Sequence, residues 1–337
     1  MKAIAYQNNL PIDQVDALVD VTLPDPVATG HDLLVAVHAV SVNPVDVKIR
    51  AGAKPADGER KVLGWDAAGV VQAVGPDVTL FRPGDRVWYA GSIARAGSNS
   101  ELQLVDERIV GTMPQSLDFA AAAALPLTSL TAWEMLFDRL EVPTDERGEG
   151  KTLLVIGAAG GVGSILVQLA RKLTRLTVVG TASRAATRDW VLSNGAHHVI
   201  DHGKPLADEI RRAGLAAPDY VISLTHTDEH FDQIAEVIAP QGKFGLIDDP
   251  APIDVRTLKR KSVSLHWELM FTRSLFGTPD MIRQHEILNR VADLIDAGTL
   301  RSTANENYGR IDAANLKRAH ALIESNRAQG KIVLAGF

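Results

Sequence analysis

Residues 151–163, KTLLVIGAAGGVG, restrict this chain more than any other stretch. An unbroken apolar run at 152–156 leads into a cluster of small residues with Gly157, Gly160, Gly161 and Gly163. Apolar residues then recur at Val162, Ile165, Leu166, Leu169, Ala170 and Leu173, a spacing that puts them on one face of an α-helix. Strand, glycine turn and helix in that order make a ready anion site. The helix N-terminus presents unpaired N–H groups and the positive end of its dipole, and small residues let a pyrophosphate reach the backbone. Read as G-x-G-x-x-G, the first position is Ala158, followed by Gly160 and Gly163. A tight turn without a ligand has the same local composition. The periodic flanks and the further strand–helix units downstream favour a dinucleotide, with Ala159, Gly160, Gly161 and Val162 against its phosphates.

From 151 to 247 the chain alternates apolar runs and amphipathic segments, which predicts a doubly wound parallel sheet of the Rossmann type. The first 125 residues read differently. Strand-like runs at 2–6, 33–41, 64–74, 85–89 and 101–105 are separated by turn signals such as Gly75-Pro76-Asp77 and Arg82-Pro83-Gly84-Asp85, which suggests a compact, barrel-like β fold. Helices are expected at 118–125, 129–140, 281–297 and 311–325, with a last strand at 331–334. This predicts an α/β protein of two domains: 1–125 with 300–337, and a nucleotide domain at 126–299. Ligand pockets favour the cleft between such domains.

Composition narrows the functional classes. Net charge is −6, and no basic run exceeds Lys259-Arg260-Lys261, so a nucleic-acid surface is not expected. The N-terminus has no signal-peptide core, and the most apolar stretch, 119–130, is alanine-rich and broken by Pro126. The expectation is a cytoplasmic protein without a membrane partner. The chain contains no cysteine, which excludes disulfides, thiolate catalysis and any zinc site built on cysteine.

The nucleotide can be read further. An NAD site usually carries an acid about 20 residues past the glycines to hold the ribose 2′-OH. No Asp or Glu occurs from Ser164 to Arg188; after the second strand come Ser183, Arg184 and Arg188. Arginine pairs with a 2′-phosphate that an acid would repel, so NADPH is expected over NADH. The ends of later strands, Leu224-Thr225 and Leu246-Ile247, should also border the cofactor, because ligands bind at strand carboxyl ends in such sheets.

Several motifs now combine. Ser41-Val42-Asn43-Pro44-Val45-Asp46, Leu63-Gly64-Trp65-Asp66-Ala67-Ala68-Gly69, Phe81-Arg82-Pro83-Gly84-Asp85, Leu125-Pro126-Leu127-Thr128-Ser129-Leu130-Thr131-Ala132-Trp133 and the turn at 157–163 resemble the medium-chain dehydrogenase/reductase superfamily over nearly the whole length. The likeness is to its quinone-oxidoreductase branch and to the subgroup of zinc-type alcohol dehydrogenase-like proteins. It implies a GroES-like β domain beside the Rossmann domain, and usually a dimer or tetramer; a homodimer is expected. Zinc members hold their metal with a Cys near the site of Asn43, a His near the site of Trp65 and a later Cys. Those first two positions are Asn and Trp here, so the resemblance does not extend to a zinc site.

Without a metal, alcohol oxidation lacks its Lewis acid, whereas reduction of a quinone or an α,β-unsaturated carbonyl remains accessible. Asn43, Asp46, Lys48 and Tyr89 are the catalytic candidates. The resemblance puts Asn43 near the nicotinamide ribose, Thr128 near the nicotinamide, and Lys48 where quinone reductases often have Tyr. Each also has a structural reading: loop support for Asp46, an exposed helix charge for Lys48, a helix N-cap for Thr128. Two histidine groups, His197/His198/His202 and His226/His230, are read as structural rather than metal-binding. Two other functions stay open: a zinc-dependent alcohol dehydrogenase, and a nucleotide-binding protein with a structural or sensing role.

Overall fold

The computed structural model describes all residues from Met1 to Phe337. The chain divides into two compact units, Met1–Leu130 with Phe271–Phe337, and Thr131–Met270.

In the first unit, β1 (Lys2–Tyr6) pairs antiparallel with β2 (Val19–Thr22) and β4 (Lys61–Val62). The larger sheet is organised on β3 (Asp32–Val42). One edge of β3 pairs with β5 (Ala67–Val74). The other is shared by β7 (Leu102–Asp106) along Asp32–Ala36 and by β16 (Lys331–Ala335) along Ala39–Val42. Outward from β5 lie β6 (Arg86–Tyr89) and β8 (Val110–Thr112), and β15 (Ala304–Asn307) runs parallel to β16 at the far edge. β3 holds this position because its sequence alternates: Leu33, Val35 and Val37 face the core, and from Ala39 onward it is buried on both sides. The helices of the unit are α1 (Pro44–Gly52), α2 (Phe119–Ala123), α3 (Pro126–Trp133), α8 (Thr272–Phe276), α9 (Arg283–Asp296) and α10 (Ala313–Glu324). The boundary between the units falls inside α3.

The second unit carries a six-stranded, all-parallel sheet: β9 (Thr152–Ile156), β10 (Thr177–Thr181), β11 (His198–Ile200), β12 (Tyr220–Ser223), β13 (Lys243–Leu246) and β14 (Ser264–Trp267). Their order is β11-β10-β9-β12-β13-β14, so the winding reverses at β9, directly before the glycine turn. The helices α4 (Gly161–Leu173), α5 (Ala185–Ser193), α6 (Leu206–Arg212) and α7 (Thr227–Val237) connect the strands. Leu154, Ile156, Val179, Val221, Phe231, Ile234 and Phe244 form one core cluster of this unit. The doubly wound α/β reading stands.

Three expectations need correction in detail. Residues 271–299 were expected with the nucleotide domain, yet they belong to the first unit. There α9 packs on β8: Leu288 fills the space over Gly111, and Asn289 Oδ1 accepts the Thr112 N–H at 2.8 Å. Second, β14 forms at Ser264–Trp267, beyond the stretch read as alternating strand and helix. Third, the helix expected at 129–140 changes to a wider π turn at Glu134–Arg139. The run Phe119–Arg139 is apolar but mostly buried inside the protein, as in a core helix.

Candidate active site

The glycine turn is shaped by two close approaches and one opening. Gly157 leaves β9 at φ +80°, and its N–H donates to Thr181 Oγ1 at the end of β10 (3.2 Å). A side chain at Gly163 would lie 2.6 Å from the Ala158 backbone, so glycine there lets α4 press onto the turn. Gly160 differs. It is the N-cap of α4 at φ −74°, a conformation any residue adopts, and a Cβ there would meet nothing closer than the Gly157 carbonyl at 3.5 Å. The protein's own packing therefore does not demand glycine at 160. What the missing side chain leaves is room over the first turn of α4, whose N-cap carries no side-chain hydrogen bond. These residues fit a dinucleotide pyrophosphate.

The neighbouring strand ends supply the remaining groups on this edge of the sheet. Leu224 and Thr225 face Gly157: a Cβ built there would lie 3.4 Å from Leu224 Cβ and 3.0 Å from Thr225 Cγ2. Ser183 and Arg184 are exposed after β10, and Arg184 is the N-cap of α5. Arg188, one turn on, donates to the Val199 carbonyl of β11 at 3.0 Å. Leu246 ends β13, followed by Ile247 and Asp248. The Asp248 carboxylate caps α7 across the strand ends: Oδ2 accepts the Thr227 N–H at 2.9 Å, and Oδ1 lies 2.5 Å from the Thr227 hydroxyl. Residues 157–162, Leu224-Thr225, Ser183-Arg184 and Leu246-Ile247 thus come from the carboxyl ends of β9, β12, β10 and β13. Thr128 lies in the first unit, where its hydroxyl donates to the carbonyl of Leu125, the residue before its helix (3.1 Å).

The catalytic candidates sit in the first unit, and Asn43 and Asp46 belong to a polar centre with almost no exposure. Asp66 Oδ1 accepts the Leu127 N–H at the start of α3 (2.8 Å). Its Oδ2 accepts Asn43 Nδ2 at 2.8 Å and lies 3.1 Å from Lys331 Nζ. Lys331 also donates to the Val42 carbonyl (3.0 Å) and to Asn43 Oδ1. Three acceptors around the lysine match the three N–H bonds of an ammonium, and three donors around Asp66 match a carboxylate. Burial pushes Asp66 up and Lys331 down, and each offsets the shift of the other. Asp46, at the third position of α1, accepts the Asn43 N–H on Oδ2 (2.7 Å). Burial raises it to about 7 against the pull of that N–H and of Lys331, and its Oδ1 has no partner.

Asn43 therefore spends both ends of its amide on Asp66 and Lys331, inside the protein. Tyr89 is 1% exposed, its hydroxyl is unpartnered, and burial raises its pKa. Lys48 is the one exposed member of the four, on α1. The sequence reading missed Lys331. A lysine opening a short apolar C-terminal strand looks like a solvated charge, and only its burial at 3% marks it.

A catalytic zinc does not fit these residues. The side chain of Asn43 is committed to the ion pair, Trp65 is buried with its indole N–H donated to the Ser92 carbonyl (3.1 Å), and nowhere do three His, Asp or Glu side chains converge in a metal-binding group. The two histidine groups have other contacts. His197 Nδ1 accepts the Val178 N–H (2.9 Å), and the rings of His202 and His230 meet edge to face at 5.8 Å.

The comparisons with known proteins agree with this architecture. Residues 29–125 match the alcohol dehydrogenase GroES-like domain, and residues 194–334 match the zinc-binding dehydrogenase family. A zinc-type alcohol dehydrogenase-like protein of Staphylococcus epidermidis is 37% identical, over 99% of both chains. A quinone oxidoreductase of Pongo abelii is 38% identical over 52% of both chains. The crystal structure of a Rhizobium etli protein named for a zinc-dependent alcohol dehydrogenase superposes with a TM-score of 0.97 at 59% identity, covering 100% of this chain and 98% of that one. Solved proteins of the same fold include complexes with NADPH. The chain belongs to the medium-chain dehydrogenase/reductase superfamily, as an oxidoreductase of the quinone oxidoreductase-like kind.

Proposed function

We propose that the protein is an NADPH-dependent reductase of quinones or α,β-unsaturated carbonyls that works without a catalytic metal. The observation that carries this reading is the open space at Gly160 over the first turn of α4, combined with Arg184 and Arg188 at a position where NAD-specific proteins have an acid. Gly160, Gly161 and Val162 would hold the pyrophosphate, and Arg184 with Arg188 the 2′-phosphate. NADPH supplies hydride when bound. The chain must then orient the acceptor, exclude water and deliver one proton.

A metal-free donor set suits acceptors whose carbonyl is already activated, because their developing enolate or phenolate needs only hydrogen-bond donors and a proton. Of the catalytic candidates we assign proton delivery to Lys48, the exposed one. Asn43 and Asp46 hold the start of α1, and Tyr89 is buried in the β core. The deciding experiment is NADPH oxidation with a panel of simple quinones and enals, together with metal analysis of the same sample. Turnover without bound zinc supports the reading. Chelator-sensitive oxidation of alcohols overturns it in favour of a zinc alcohol dehydrogenase, and tight NADPH binding with no turnover in favour of a binding role.

A homodimer is part of this proposal. β14 is an edge strand whose only partner is β13, and it leads through exposed Trp267 and Leu269, a ready surface for a second copy. Sedimentation at a single monomer mass would remove it.

A further inference from the structure

We propose that Trp190 is a specificity-determining residue, tying the helix that carries Arg184 and Arg188 to the turn that receives the pyrophosphate. This rests on the cofactor reading above.

The link is a chain of two hydrogen bonds. Trp190 lies on α5, two residues after Arg188, and its indole N–H donates to Ser164 Oγ at 2.8 Å. Ser164 is fully buried in the first turn of α4. Its hydroxyl donates in turn to the Gly160 carbonyl at 2.7 Å, which also accepts the Ser164 N–H at 2.9 Å. A hydroxyl has one hydrogen. With the indole N–H on its lone pair, that hydrogen is committed to Gly160.

The consequence follows from peptide geometry. In a planar trans peptide the carbonyl of one residue and the N–H of the next point in opposite directions. Drawing the Gly160 carbonyl into the helix therefore turns the Gly161 N–H outward, over the space the absent Gly160 side chain leaves open. α5 is also held against the sheet: Val191 packs so closely on β10 that a Cβ at Gly180 would lie 2.5 Å from Val191 Cγ1. The helix bearing the arginines is thus fixed both by the sheet and by the pyrophosphate turn.

A 2′-phosphate held by Arg184 and Arg188 fixes the start of α5, and Trp190 passes that constraint to the Gly161 N–H. A nucleotide without the 2′-phosphate meets the same Gly161 N–H but leaves the start of α5 unclamped, so the link passes no added constraint to it. A tryptophan that merely filled space would support both nucleotides alike.

The test measures dissociation constants of NADPH and NADH for the parent protein, Trp190→Phe, Ser164→Ala, Arg184→Ala and the Arg184→Ala/Trp190→Phe double variant. In the parent, NADPH should bind more tightly than NADH. Loss of the indole hydrogen bond should weaken NADPH about five-fold and NADH less than about two-fold. Ser164→Ala should repeat that pattern while keeping the ring. In the double variant, the loss should stay close to that of Arg184→Ala alone. Equal losses for both nucleotides in Trp190→Phe or Ser164→Ala, or strictly multiplicative losses in the double variant, overturn the link while leaving the cofactor reading intact. A parent protein without preference for NADPH overturns both.

Discussion

Around Asp66, a carboxylate, an ammonium and an amide use one another up. Around Gly160, the helix N-terminus has no side-chain cap, and a Cβ there would meet only the Gly157 carbonyl within 4 Å. The first centre is closed: Asp66, Asn43 and Lys331 are each at most 3% exposed, and the ion pair joins the starts of α1 and α3 to β16. The second is open, with room that no local packing rule requires. Buried charges persist when their hydrogen bonds are satisfied internally, and such groups hold a framework. Backbone N–H groups left facing a gap are what a ligand uses. The contrast separates residues that keep the fold in shape from those we propose meet the cofactor, although both sets occur in motifs of the same family.

The largest test of the contrast is Lys331→Met. It leaves Asp66 buried without its cation and should cost about 3–5 kcal/mol of stability, read as a drop in denaturant midpoint. Adding Asp66→Asn should return part of that loss. A Lys331→Met protein as stable as its parent would show that the centre is not a framework.

The open centre predicts the reverse pattern. Gly160→Val fills the space over α4 at a φ that valine tolerates, so NADPH binding should fall about a hundred-fold while the melting temperature barely moves. Unchanged binding would mean the space has no occupant.

His320 sharpens the closed side. It is 0% exposed, neither ring nitrogen has a partner, and burial with the nearby Arg50 holds its pKa down at about 3. An unfolded histidine titrates near 6.5. Between those values the unfolded chain binds the extra proton, so the stability His320 allows is complete above its unfolded pKa and is lost as pH falls toward 3. At pH 5 the loss should be about 2 kcal/mol, and His320→Leu should flatten it in melts taken from neutral to acid.

The smallest expected effect is on the open side. Arg184→Ala should weaken NADPH about ten-fold and leave NADH within about two-fold. Equal losses would make Arg184 a general anchor rather than a 2′-phosphate reader.

How far the sequence could be read depended on how local each signal was. The strand, turn and helix at 152–173 announce themselves by period, because each residue's role is set by neighbours a few positions away. The missing acid before Arg188 is equally local. The placement of α9 was not: its amphipathic period requires a partner surface without saying which, and the structure supplies β8 of the first unit instead of the nucleotide sheet. Asn43 looked free to donate to a ligand because its partner Lys331 lies 288 residues away. Ser164 and Trp190 are 26 residues apart, and nothing in either helix's pattern joins them.

By itself, the amino-acid sequence determined the parallel nucleotide sheet, the β-rich character of the first 125 residues and the absence of cysteine ligands. These follow from periodicity, turn chemistry and residue type, which act over short distances. Tertiary structure alone decided which polar residues are spent inside the protein and which are left facing outward. Hydrogen bonds and burial join residues by position in space, and the 3.1 Å approach of Lys331 to Asp66 has no trace in the order of the chain.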